Sequence, residues 1–333
     1  MAYKHMSLEE RHYIELSLKK EISCTDIALH LSRSQATISR EIRRNTGLRG
    51  YRYKQADRKA NERHSTKNKA VKLTNDVTFL IDKYIKQDWS PEQVCGWLRR
   101  EEQPEKIELH HETVYQYILA NKQAGGDLYT HLRHRNKTYR KRYGSVNNRS
   151  KNGIPNRVDI DQRPEAANNR ARFGDWEGDT IIGKNHKGAI VTLDERVSKL
   201  RLALPTGSKK ADKVRDAIIQ LFEPIKNFVL TLTLDNGKEF AYHADISEKV
   251  ECDTYFAKPY HSWERGQNEN TNGLLRQYFP KSMELIDVTT KQVLEAVHQL
   301  NSRPRKCLGY QTPYEYFEKM TGISQNKLAV MHL

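Results

Sequence analysis

The chain reads as multidomain: an N-terminal all-α helix-turn-helix region followed by an α/β domain built on a mixed sheet. Two observations predict this. Residues 1–164 carry 33 Lys and Arg against 20 Asp and Glu, whereas residues 165–333 carry 24 against 22. Apolar residues in the front half recur at helical spacing, and from about residue 172 they gather into short β-like runs separated by Gly, Asn, Lys and Ser. A basic front half joined to a near-neutral back half pairs a polyanion-binding region with a domain of another task. At 333 residues the chain has room for two or three domains.

Residues 7–20 predict an amphipathic helix, with Ser7 and Glu10 as a capping box and Tyr13, Ile14 and Leu16 on one side. Thr25 is placed to cap a second, short helix carrying Ile27, Ala28 and Leu31. Ser32-Arg33 then turns, Ser34 caps a third helix through Ile38 and Ile42, and Gly47 lies beyond its end. Helix, short turn, helix is the pattern of a DNA reader, with small Ala28 at the crossing and Ile38 facing inward. Its outward residues Ser34, Gln35, Thr37, Ser39, Arg40, Arg43 and Arg44 are the expected contacts to bases and phosphates. This gives a first DNA-binding domain over 1–48.

Residues 49–72 are polar and basic and read as a linker or a helical arm along phosphates. A second helical, helix-turn-helix-like domain is expected over 73–130. Val77, Leu80, Ile81 and Tyr84 fall at helical spacing, and Ser90-Pro91-Glu92-Gln93 is a helix start followed by Val94, Trp97 and Leu98. A later helix over 111–118 would present His111 and Thr113 to DNA. Residues 131–165 follow as a basic flexible arm, in which Arg140, Lys141 and Arg142 interleave with Tyr139 and Tyr143.

The α/β domain is expected over 166–320, with a tail over 321–333. Strands are expected at Trp176–Ile182, Gly188–Asp194, Lys199–Leu204, Phe228–Leu234 and Cys252–Ala257, and helices at 209–222, Arg265–Tyr278 and Thr289–Asn301. The four cysteines are scattered and form no CxxC, which argues against a disulfide framework or a cysteine zinc site. His110-His111 has no cysteine pair at ligand spacing. There is no run of 18 apolar residues and no apolar signal core, so a cytoplasmic, DNA-accessible protein is expected.

Three carboxylates stand out. Asp179 lies on a strand, Asp235 closes the Phe228–Leu234 run before Asn236-Gly237, and Glu269 opens a helical stretch. Ends of buried strands are where α/β sheets place ligands. Two strand aspartates and a helix glutamate make an oxygen-only donor set suited to paired Mg²⁺ ions and attack on a phosphodiester. Spacing alone leaves competitors: Asp175 and Glu177 share the strand face of Asp179, Asp194 ends the next strand, and Glu264 precedes Glu269.

Trp176-x-x-Asp179-x-x-Ile182, Leu234-Asp235-Asn236-Gly237-Lys238-Glu239-Phe240, and Pro259-Tyr260 followed by Glu269 resemble the retroviral-integrase-type catalytic core shared with DDE transposases. The string Trp263–Lys281 and the late Asn301-x-Arg303-Pro304…Leu308-Gly309-Tyr310-x-Thr312-Pro313 resemble the IS-thirty family of bacterial insertion-sequence transposases. The resemblance covers nearly the whole chain. It implies an RNase H-like fold, dependence on Mg²⁺ (Mn²⁺ substituting, two ions per site), and Asp179, Asp235 and Glu269 as the catalytic and metal-binding triad. It further implies double-stranded DNA, element ends and target, as partner, and a homodimer or larger assembly that brings two ends together.

Arg276, seven positions after Glu269, and Lys281 are candidate phosphate contacts, and Asn268, Asn270 and Asn272 are candidate DNA contacts near the cut. Trp263 is open between stacking and packing, and Tyr310-x-x-Pro313 reads as docking the tail. Three rivals remain: a helix-turn-helix regulator with a silenced catalytic domain, a nuclease that cuts without joining, and a retrovirus-type integrase, which is disfavoured because an N-terminal His/Cys zinc unit is missing.

Overall fold

The computed structural model describes residues 5–66, 72–103, 106–134, 154–258 and 266–331. The chain forms two compact units, Met1–Lys72 and Leu73–Leu333.

In the first unit, α1 (Leu8–Lys19) opens with the Ser7/Glu10 capping box, and α2 (Cys24–His30) is capped by Ser23 rather than Thr25. Ser34 caps α3 (Gln35–Asn45). Ile14, Ile27, Ala28 and Ile38 form the core as expected, while Leu16 faces solvent. The segment read as a linker contains α4 (Tyr53–Ser65), which belongs to this unit. Its Ala56 is fully buried, and buried Arg11 of α1 bonds Asp57 of α4 and Glu41 of α3, both at 2.8 Å. Polar composition concealed this helix, because it is secured by one small apolar residue and by polar bonds to distant parts of the chain.

The second unit begins with α5 (Asn75–Lys86), α6 (Pro91–Leu98) and α7 (His111–Gln123) around Ile81, Ile85, Val94, Leu109, Val114 and Ile118. A short helix α8 (Glu165–Asn168) leads into the sheet. Among the described residues five strands form one sheet: β1 (Asp175–Ile182), β2 (Ala189–Glu195), β3 (Arg201–Pro205), β4 (Thr231–Leu234) and β5 (Asp253–Phe256). Their spatial order is β3-β2-β1-β4-β5, with the first three antiparallel and β1, β4 and β5 parallel. β4 starts later than its apolar run suggested, because 223–228 form a 3₁₀ turn containing Pro224.

The remaining helices are α9 (Ala211–Phe222), α10 (His243–Val250), α11 (Gly266–Leu275), α12 (Thr290–Asn301), α13 (Pro313–Thr321) and α14 (Gln325–Met331). One sheet face buries Trp176, Val191, Leu193, Leu202, Leu232 and Leu234 against α9 and α10. The segment expected as a tail closes this core, since Ile323 and Leu328 are buried in it. The opposite face is divided. Ile181, Ile190 and Ala203 pack under α11 and α12, and the rest is polar. Sheet order and layering are RNase H-like.

Candidate active site

The polar part of the second face follows from strand period two. Asp175, Glu177 and Asp179 of β1 share it with Thr192 and Asp194 of β2, Arg201 of β3, and Thr231 and Thr233 of β4. Three of its acids are committed to arginines. Asp175 accepts from Arg172 at 3.1 Å and from the Thr231 hydroxyl at 2.8 Å. Glu177 Oε1 lies 3.3 Å from Arg196 Nε, inside the protein. Asp194 takes both arms of Arg201, at 2.8 and 2.6 Å, from the position directly opposite it on β3. Buried charges need such partners. These competitors therefore hold the fold.

Asp179 and Asp235 are half-buried. The β1–β4 ladder pairs Asp175 with Thr231 and Glu177 with Thr233. Asp235 follows the last residue of β4, and that register, continued two residues beyond the ladder, would set it opposite Asp179 across a strand spacing of roughly 4.8 Å. The Asp235 Oδ1 accepts from the Gly237 N–H at 2.8 Å, so its own turn aims it. The Asp179 Oδ1 accepts from the Thr180 N–H at 2.8 Å, and its Oδ2 accepts from Asn272 Nδ2 at 2.8 Å.

That last bond ties α11 to the site. Asn272 Oδ1 also accepts from Arg201 Nη2 at 3.0 Å. Arg201 donates to the Thr271 carbonyl at 2.9 Å, and the Thr271 hydroxyl donates to Asp194 at 2.9 Å. One turn of α11 is thus fastened to β2 and β3 by a buried network. The backbone of Glu269 lies in α11, three residues before Asn272. Its side chain, like that of Asn268, is outside the described atoms, and so are Pro259, Tyr260, Trp263 and Glu264. Among the described residues no three His, Cys, Asp or Glu converge as a metal cluster.

Sequence reading missed Glu239. It is buried beside the site, accepts from the Thr180 hydroxyl at 3.2 Å and pairs with Lys209 at 2.8 Å. It missed the Arg201 network too, whose available signal was an Arg opposite an Asp across one hairpin.

Of the other candidates, Arg276 is turned inward. It donates to the Ile182 and Phe279 carbonyls at 2.9 and 3.3 Å, and burial lowers its pKa. It fastens the end of α11 to β1. Asn272 is likewise engaged within the fold. Lys281 is exposed, and Asn270 is exposed beside Arg133 Nη1 at 3.3 Å.

In the first unit Ser34, Gln35, Ser39, Arg40, Arg43 and Arg44 are exposed along α3, with Thr37 half-buried. The Ser34 and Thr37 hydroxyls bond each other at 2.8 Å at its start. In the second helical region α6 and α7 are joined by residues 99–110, longer than a helix-turn-helix turn. His111 is held by Glu92 at 3.1 Å, and Thr113 is half-buried. Tyr310 docks on α6, its hydroxyl 2.7 Å from Glu92. Arg140, Lys141 and Arg142, with Tyr139 and Tyr143, lie outside the described residues.

Residues 2–45 match the family model of a helix-turn-helix domain. Over 98% of both chains, the protein is 44% identical to the transposase for insertion sequence element IS4351 of Bacteroides fragilis. It is 34% identical to transposase InsI for element IS30C of Escherichia coli K12, over 96% of this chain and 84% of the relative. It is 32% identical to the transposase for element IS1086 of Cupriavidus metallidurans, over 98% of both. Among solved structures, the catalytic core domain of BIV integrase aligns with a TM-score of 0.36 at 24% identity, covering 44% of this chain and 95% of that one. With identity of this extent running through both the helix-turn-helix unit and the sheet, the chain belongs to the IS-thirty family of insertion-sequence transposases.

Proposed function

We propose that this protein binds the terminal inverted repeats of an insertion sequence, cleaves the element ends to free 3′-hydroxyls, and joins those hydroxyls to target DNA by direct transesterification. The observation that supports the reading is that Asp235 directly follows β4, the strand paired with the one that carries Asp179, and that α11 is fastened to Asp179 through Asn272. Two half-buried carboxylates brought together there would repel unless a cation joined them, so an oxygen-only donor set of Asp179, Asp235 and Glu269 fits Mg²⁺, or Mn²⁺, as a pair of ions. Bound there, the metal supplies charge neutralisation at the phosphate and lowers the pKa of the attacking hydroxyl. The chain's own residues do the rest. The Gly237 amide and Asn272 fix the two carboxylates before substrate arrives, and the Arg201–Asp194 pair keeps the helix that carries Glu269 seated.

Gln35 and Arg40 are the proposed base contacts, and Arg43, Arg44 and Lys281 the phosphate contacts. The unit Met1–Lys72 forms the first reader, 73–130 a second DNA-contacting region, 131–165 the backbone-tracking arm, and the sheet from 166 with the helices through α14 the catalytic domain. The partner is double-stranded DNA in the bacterial cytoplasm. Two ends must meet, so the working form is at least a homodimer.

The test is a plasmid carrying the gene's own flanking DNA, incubated with protein and Mg²⁺ beside Asp235→Asn, with every new junction sequenced. Ends joined to new DNA by the wild type alone support the reading. Cutting without joining would make the protein a nuclease. Equal products from Asp235→Asn would remove Asp235 from the chemistry. End binding should survive the substitution, and its loss would mean a folding role instead.

A further inference from the structure

After α3 the chain does not simply run on to α4. Gly47 and Gly50 exchange two backbone hydrogen bonds of 3.1 Å, closing a two-residue hairpin with Leu48 and Arg49 at its tip. Gly50 has φ +86°, a conformation L side chains rarely adopt. Leu48 is fully exposed, and Arg49 makes no hydrogen bond or ion pair among the described residues. An exposed leucine on a tight tip contributes nothing to the core of this unit.

The hairpin is held from behind. Gln55 of α4 lies against Gly47, where even a Cβ would come within 2.4 Å of its Oε1. Lys59 donates to the Thr46 carbonyl at 3.0 Å, and Arg63 to the Arg44 carbonyl at 3.3 Å. Tyr51, buried just beyond the hairpin, bonds Glu41 of α3 at 3.2 Å. The tip is thereby fixed relative to the helix that carries Gln35 and Arg40. Leu48, Arg49, Arg52, Lys54, Gln55 and Arg58 line one concave surface that contains four cations and no acid.

We propose that this hairpin is a minor-groove reader, with Arg49 entering the groove and Leu48 wedged against its wall. The inference rests on the reading of the first unit as the one that binds element ends. Its geometry follows from helix length. An 11-residue α3 is roughly 16 Å long, and the major groove is about 12 Å wide. With the start of α3 on base edges, its C-terminus emerges at the groove's rim, and the next feature of the duplex is the adjacent minor groove. A narrow minor groove concentrates negative potential and draws in arginine, and apolar side chains wedge there. Glycines on both sides of the tip let the backbone approach the groove walls.

The test uses duplexes of the element's own end, with inosine replacing guanine at one step at a time. Inosine removes the 2-amino group from the minor groove and leaves the major-groove edge unchanged. Binding is measured for the wild type and for Leu48→Ala/Arg49→Ala, whose side chains carry no packing, with circular dichroism to show an unchanged fold. The expected result is a block of inosine-sensitive steps beside the α3 site in the wild type. In the variant that sensitivity disappears, and affinity for unmodified ends falls roughly tenfold. Wild-type binding that ignores inosine at every step overturns the inference, as does sensitivity that persists in the variant. An equal loss by the variant on ends and on unrelated duplex, with inosine sensitivity retained, also overturns it, reducing Arg49 to a phosphate contact. Wild-type protein that does not prefer its own ends at all sinks the end-binding reading itself, an outcome distinct from the others.

Discussion

A methyl group added at Gly237 would stand 2.3 Å from Glu239 Oε2 and 2.7 Å from Asp235 Oδ1. The φ of Gly237 is ordinary, at −71°, so what glycine provides here is space between two carboxylates. Gly237→Ala must push one of them aside. Displacing Asp235 by even part of an ångström should lower junction formation roughly a hundredfold. Single-turnover cleavage of an end duplex checks this, and an unchanged rate would mean the turn adapts without moving Asp235. At this scale the sequence was informative where a motif named a residue and silent where a partner decided its role. Asp175, Glu177, Asp179 and Asp194 look alike in the chain. Only their neighbours, Arg172, Arg196 and Arg201, separate the structural acids from the candidate metal ligands, and those neighbours are set by strand register and loop path.

Elements were legible wherever a helix carried its own punctuation. The capping boxes at Ser7, Ser90 and Thr289 start α1, α6 and α12 where expected. α4 was harder to read, because it is fixed by Arg11 from a distant part of the chain. The position of α11 depends on contacts of the same kind. Arg201 bonds Asp194, the Thr271 carbonyl and Asn272 at once, so the helix bearing Glu269 is seated by a guanidinium on an edge strand. Arg201→Leu takes from buried Asp194 the guanidinium that both of its oxygens bond, which should cost about 3–5 kcal/mol in urea denaturation. Asp194→Leu/Arg201→Leu should recover much of that loss, because no bare charge remains. A small loss in the single variant would show that the network is not what holds α11.

At the scale of the whole second unit, the helices around α6 and the C-terminal residues lock together. Gln93 bonds the Pro304 carbonyl at 2.8 Å, Arg100 pairs with Glu315 at 3.0 Å, and Tyr310 lies so close over Gly96 that a Cβ there would be 2.0 Å from its ring. The late Arg-Pro and Leu-Gly-Tyr motif therefore serves this junction. Gly96→Ala expels the Tyr310 ring and should destabilise the unit by about 1–3 kcal/mol. Urea denaturation and faster proteolysis near residues 99–110 would report it. An unchanged midpoint would mean that the ring swings away at no cost.

The burial of Leu328 beside the sheet has a consequence for synthesis. The first unit is complete once Lys72 has left the ribosome, whereas the catalytic core lacks a wall until Leu328 follows. At ~5–20 residues per second, that interval lasts roughly 10–50 s. For that time a nascent chain carries a finished DNA reader and an unfinished blade. On the proposed function, it could settle on nearby DNA before it could cut.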